Sequence, residues 1–254
     1  MERTEILELA VEIGFRLEEC GAEIYRVEDA VSRIFKAYGV ESGQVFAIPN
    51  CLIVSIEDEA GRPMTRMRRL PQHGTDVYRL ERVYNYCREV CKTKPEPEEA
   101  LARLQALEAQ HPVFSVPMQL FGYFLGGGAF TLFWAGTGLD AFAGGLCSLA
   151  IGCCQMFLGR VRANLFARTV VSAFASAFLA ILLVHCGLGE NGSCITIGAL
   201  MTLVPGVMFT NSMRDIMAGD MVAGLLRIVE SLLIAAAIAM GTFVAIALGG
   251  LWGM

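Results

Sequence analysis

The sequence predicts an α-helical polytopic membrane protein of five transmembrane helices, N-terminus inside and C-terminus outside, carrying an N-terminal α+β cytoplasmic domain. Three observations lead to this fold class: the overall hydropathy, the uneven placement of charge, and the position of arginines between apolar runs. The chain has 254 residues, 55% hydrophobic, with a mean hydropathy of +0.53. That is too apolar for an ordinary soluble domain. Residues 1–115 hold 15 Lys/Arg and 20 Asp/Glu, whereas residues 116–254 hold 5 of each. A charged front half precedes an apolar back half.

Five runs without charge follow, at 109–139, 141–159, 169–189, 191–213 and 231–254. Each has about the 20 residues that cross a bilayer core. The expected spans are 116–137, 141–159, 169–187, 193–211 and 226–250, so the domains divide as 1–112 and 113–254. The N-terminus is acidic and amphipathic and shows no apolar signal-peptide core. Arg160, Arg162 and Arg168 lie after the second run and Arg214 after the fourth, while "TGLD" and "GLGENGS" after the first and third have no Lys or Arg. The positive-inside rule then places the front domain in the cytoplasm. The net charge of −5 argues against nucleic acid as a partner.

The front half reads element by element. Residues 2–20 form an amphipathic helix with Ile6, Leu9, Ala10, Ile13 and Leu17 on one stripe, ended by Gly21. A second helix, 23–38, carries Ile24, Val27, Val31, Ile34 and Tyr38 and stops at Gly39. "QVFAI", "CLIVSIE" and "PMTRMRRL" read as strands, separated by Pro49-Asn50 and by "DEAG". Helix returns at "TDVYRLERVYNYCREVC", with Thr75 as its expected N-cap, and at "EPEEALARLQALEAQ", with Pro97 in its first turn. Pro112 and Pro117 mark the junction to the apolar half. There, small residues at four-residue spacing (Gly122/Gly126, Ser172/Ser176, Ala173/Ala177, Ala237/Gly241) predict close helix packing.

Three stretches are candidates for function. Pro205-Gly206 interrupts the fourth run and is followed by Thr210, Asn211 and Ser212. A broken helix in lipid frees backbone groups that protein or water must satisfy, and transporters use such breaks to hold substrate; a plain packing kink is the other reading. Arg214, Asp215, Asp220, Arg227 and Glu230 lie near the cytoplasmic ends of the last two spans, with Arg227 and Glu230 able to pair at i, i+3. They read either as an interfacial anchor network or as a mouth that binds a carboxylate and moves protons. In "GAEIYRVEDA", Glu23/Arg26 and Tyr25/Asp29 are spaced to pair on one helix face, which an ordinary solvated surface would also show.

Other chemistry finds little support. No HExxH, GxSxG or Walker loop occurs, and no enzyme activity or cofactor is expected. "MAGD" at 217–220 has Met217 where an intramembrane aspartyl protease has glycine. Cys87 and Cys91 share a helix face, but no second Cys/His pair at ligand spacing accompanies them, so packing is favoured over metal.

The stretches 14–40, 203–220 and 224–241 resemble the threonine/serine exporter family, the ThrE type, which includes short succinate-exporter subunits. The resemblance runs through the whole chain in order and rests on three separated motifs. Its motif positions here are Gly21, Glu23, Tyr25, Arg26, Glu28 and Asp29 in front, and Pro205, Gly206, Asn211, Arg214, Asp215, Asp220, Arg227 and Glu230 behind. It implies export of small amino or dicarboxylic acids, with a small carboxylate-bearing substrate. Long members carry a second membrane block; this chain resembles the split form, which works with a second short multi-span subunit and is compatible with a homo-oligomer. An odd number of spans is consistent with an inverted second half. A non-transporting scaffold or regulator, with a ligand-binding front domain, is the alternative.

Overall fold

A computed structural model describes residues 2–70, 74–109, 114–161 and 163–251. Pro112 and Arg162 lie outside the described residues. The chain divides into two units, 1–112 with 207–228, and 113–206 with 229–254.

In the first unit, α1 (Arg3–Glu19) and α2 (Ile24–Ala37) cover an antiparallel sheet of β1 (Gln44–Ile48), β2 (Cys51–Glu57) and β3 (Pro63–Arg69), in the order β1-β2-β3. The alternation in β2 is decisive: Leu52, Val54 and Ile56 are buried against Ile13, Leu17, Val27 and Val31, and the residues between them are not. This is the period-two pattern of a sheet with one face on the core. Gly14 lets the two helices and the sheet approach, since a Cβ there would stand 2.7 Å from Val31 and 2.9 Å from Leu52. Helix α3 (Val77–Thr93) starts one residue later than expected. Its N-cap is Asp76, not Thr75, because the Asp76 carboxylate accepts the Arg79 N–H at 2.9 Å. The Tyr86 hydroxyl donates to Ala100 O at 2.7 Å and ties α3 to α4 (Pro97–Ala109). The thiol of Cys87 packs in this core and donates to Ala30 O at 3.9 Å.

The second unit contains α5 (Val116–Phe133), α6 (Gly138–Arg160), α7 (Leu165–His185), α8 (Gly192–Leu200) and most of α10 (Met221–Leu251). Among the described residues, α5, α6, α7 and α10 are long and apolar enough to cross a membrane. The expected fourth span, 193–211, is not one helix. It stops at Leu200 and restarts at Gly206 as α9 (Gly206–Ala218), which from Val207 onward counts with the first unit. At about 1.5 Å per residue neither α8 nor α9 alone spans a core of about 30 Å. The break is therefore five residues wide, not a kink at one proline. Pro205 disfavours helix at Val204 and brings no N–H, while the Thr202 hydroxyl donates to Ala199 O at 2.8 Å.

Small residues do set the helix packing here, partly at other positions than the spacing suggested. Gly241 of α10 sits on α7, where a Cβ would meet Val170 O at 2.3 Å, and Ser172, Ala173, Ser176 and Ala237 are fully buried. The Gly122/Gly126 pair makes no such contact: a Cβ on Gly122 meets nothing within 4 Å. The tight glycine of α5 is Gly127, whose Cβ would fall 1.8 Å from Ser148 Oγ. Thr131 fills the space left by Gly144 of α6 and Gly198 of α8, where added Cβ atoms would stand 2.0 and 2.3 Å from its hydroxyl. Asp140 anchors the other end of α8. It forms a capping box with Thr137 and accepts the Glu190 and Asn191 N–H groups at 2.7 and 3.1 Å.

Overpacking this junction should destabilise it. Gly198→Val is expected to cost about 1–3 kcal/mol, read as a lowered thermal midpoint in detergent. Gly122→Ala, in open space, should change stability by less than about 0.5 kcal/mol.

Candidate functional site

The front-half motif begins as a helix stop. Gly21 has φ +85°, and the N–H groups of Gly21 and Ala22 donate back to Glu18 O and Leu17 O at 2.9 and 3.0 Å. This 5→2 and 6→1 pair is a Schellman turn, which needs a left-handed residue at its corner. A side chain at Gly21 would also meet Gly74 O at 2.6 Å. The turn leaves the Ala22 carbonyl, the Glu23 side chain and the first N–H of α2 pointing at one place.

Helix α9 and the start of α10 bring the complementary groups there. Asp215, with no exposed surface, accepts the Ile24 N–H at 3.1 Å and the Arg227 Nη1 at 3.2 Å. Arg227, also buried, donates its Nη2 to Ala22 O at 2.8 Å. Arg214, whose side chain is 52% exposed, pairs with Glu23 Oε1. The other oxygen of Glu23 lies 2.5 Å from Arg26 Nε, an ion pair without hydrogen-bond alignment. Asp215 thus caps α2 from outside the helix: it satisfies a donor that the helix cannot and meets the positive end of the helix dipole.

Glu18 completes the cluster. It lies in the last turn of α1, has no exposed surface, and neither carboxyl oxygen has a hydrogen-bond partner. Burial pushes its pKa up to about 8, and the nearby charge of Arg227 only partly opposes this. Its sequence signal was a second stripe on α1: Leu7, Val11 and Gly14 are buried at three- and four-residue spacing, and Glu18 is the next position on it.

The remaining candidates separate into groups. Glu28 accepts the Ala47 N–H at 2.9 Å, and both burial and the charge of Asp220 raise its pKa. Asp220 follows Gly219 (φ +106°) between α9 and α10. Asp29 pairs with Arg33 at 2.7 Å, not with Tyr25; the Tyr25 hydroxyl accepts from Arg26 Nε at 2.9 Å. Thr210 and Asn211 lie about one turn before Arg214 on α9. Pro205 belongs to the second unit and immediately precedes Gly206, the first residue of α9, and Glu230 lies one turn past Arg227 on α10.

Residues 8–249 match the family model ThrE, described as "Putative threonine/serine exporter". A threonine/serine exporter of Corynebacterium glutamicum is 24% identical over 242 residues, which cover 93% of this chain and 50% of that protein. The chain therefore spans about half the length of this curated relative. No solved structure matches.

Two measurements on the full chain test the cluster. Removing either member of a buried ion pair strands the other charge, at about 3–5 kcal/mol. Arg227→Ala and Asp215→Ala should each lower stability by that order, and the double variant by less than their sum. Glu18 has a raised folded pKa, so the stability its neutral form contributes is whole below the unfolded value of 4.5 and is lost as pH rises through about 8. Relative to Glu18→Gln, the native chain should lose up to about 1.4 kcal/mol per pH unit across that window.

Proposed function

The chain belongs to the ThrE family, and from that premise we propose that it is an inner-membrane exporter subunit for small amino acids or dicarboxylates, working with a second short membrane subunit. In this reading the first unit's α1–α4 and sheet are cytoplasmic. The broken segment between α8 and α9 forms part of the substrate path, from Pro205-Gly206 past Thr210 and Asn211. Arg214 then meets the substrate carboxylate, because its guanidinium is half exposed while that of Arg227 is sealed. Arginine suits this role, since its fork can take both carboxylate oxygens. Asp215, Asp220 and Glu230 are the proton-carrying candidates, and Glu18 joins them as a neutral, desolvated carboxyl.

The observation that carries the reading is the clamp on α9. The short helix that follows the break is held at Arg214 and Asp215 by the motif turn at Gly21–Ile24. A helix that had only to span lipid would not require buried charge at its end.

Flux from liposomes that contain this chain and its partner subunit tests the assignment. Arg214→Ala should lower export of threonine, serine or succinate by about tenfold or more, the worth of one charged hydrogen bond. Pro205→Ala should lower it as well. Unchanged flux in both variants and in Arg227→Ala overturns the site. Unchanged cellular pools of these acids on loss of the chain favour a regulator instead.

A further inference from the structure

The first unit holds a cavity that the transport reading does not use. It lies between α2 and α3 and has a volume of about 550 Å³, within the range of small-molecule sites. Arg26, Asp29 and Arg33 line it from α2, and Glu81, Tyr84 and Arg88 from α3. The three α3 residues fall at i, i+3 and i+7, so they share one helix face.

Most charges in the wall already have partners. Arg33 holds Asp29 at 2.7 Å, and Arg26 holds Glu23 at 2.5 Å. Two do not: among the described residues, Arg88 and Glu81 form no ion pair and no side-chain hydrogen bond. Tyr84 is also incomplete. Its hydroxyl is buried and has no hydrogen-bond partner. Burial raises its pKa, so it stays a neutral donor. A buried donor left unmatched costs about 1–3 kcal/mol, which an acceptor on a ligand would recover.

The wall therefore offers one free cation, one buried donor and one free anion. We infer that this cavity binds a small α-amino carboxylate, with the carboxylate on Arg88 and the Tyr84 hydroxyl and the ammonium on Glu81. A dicarboxylate or phosphate would bring its charge against Glu81 and Asp29. A simple amine would leave Arg88 and Tyr84 unmatched. The inference rests on this unit alone and needs no transport. Arg26 places the cavity beside the clamp, since it shares Glu23 with Arg214.

Calorimetric titration of the purified full chain in nanodiscs tests it, with L-threonine, L-serine, succinate and inorganic phosphate as probes. Threonine or serine should bind saturably, with succinate and phosphate at least tenfold weaker. Arg88→Ala and Glu81→Gln should each weaken binding by about tenfold, and Tyr84→Phe by several-fold. Arg88 and Glu81 are exposed, so unchanged thermal midpoints will show that these variants fold. Absence of saturable binding by both amino acids overturns the proposal, as does binding that Arg88→Ala and Glu81→Gln leave intact. Equal or tighter binding of succinate or phosphate overturns the ligand class. A chain that binds threonine here yet exports nothing sustains this site and removes the export reading.

Discussion

Asp215 stands between two positive groups, the first N–H of α2 and the guanidinium of Arg227, with no water-exposed surface of its own. Burying two opposite charges costs several kcal/mol per ion unless the remaining donors and lone pairs are also satisfied. Here the backbone supplies what the pair lacks. Ala22 O takes a second guanidinium hydrogen, and it is available only because the turn at Gly21 ends α1 in the left-handed region. Arg227, Asp215 and Gly21 therefore depend on one another, although they lie far apart in the chain.

That dependence joins α9 to the turn between α1 and α2. Ser212 and Asp215 are the buried residues of α9, and most of its other side chains are exposed or partly exposed, including Val207, Phe209, Met213 and Met217. With so little apolar burial, the helix is located by charge. Glu18 lies in the same low-dielectric surroundings and remains neutral there, whereas Asp215 has a guanidinium and a helix end to face. Burial raises the pKa of both carboxyls; for Asp215 the charge of Arg227 and the Ile24 N–H oppose it, whereas no hydrogen bond reaches the Glu18 carboxyl.

The second unit uses another rule. Where apolar surroundings give helices no reason to associate, close approach and buried polar contacts do so. Thr131 against Gly144 and Gly198 is the close approach, and Asp140 on the 190–191 backbone is the polar anchor. Together they hold both ends of α8, a helix too short to be held by length. The Gly122/Gly126 spacing carried the same sequence signature without the contact, because spacing shows which residues share a face but not which face meets a neighbour.

Local patterns determined much of this protein. The three strands, the helices of the charged half, the stop at Gly21 and the interruption near Pro205 all follow from period, turn residues and proline chemistry, which act over a few positions. The same reading picked out Gly21, Glu23, Asp215 and Arg227 as candidates. Tertiary structure alone decided their partners. In the fold the Arg227 guanidinium meets Asp215 and the Ala22 carbonyl, the latter 205 positions away. Asp29 turned from Tyr25 to Arg33, and Glu18, the next position on the stripe of Leu7, Val11 and Gly14, became a buried neutral acid whose surroundings the fold supplies. Sequence periodicity ranks which side chains face inward, but an ion pair is chosen by which charges meet once water has been excluded. That is settled only when segments some 190 residues apart, such as Glu23 and Arg214, come together.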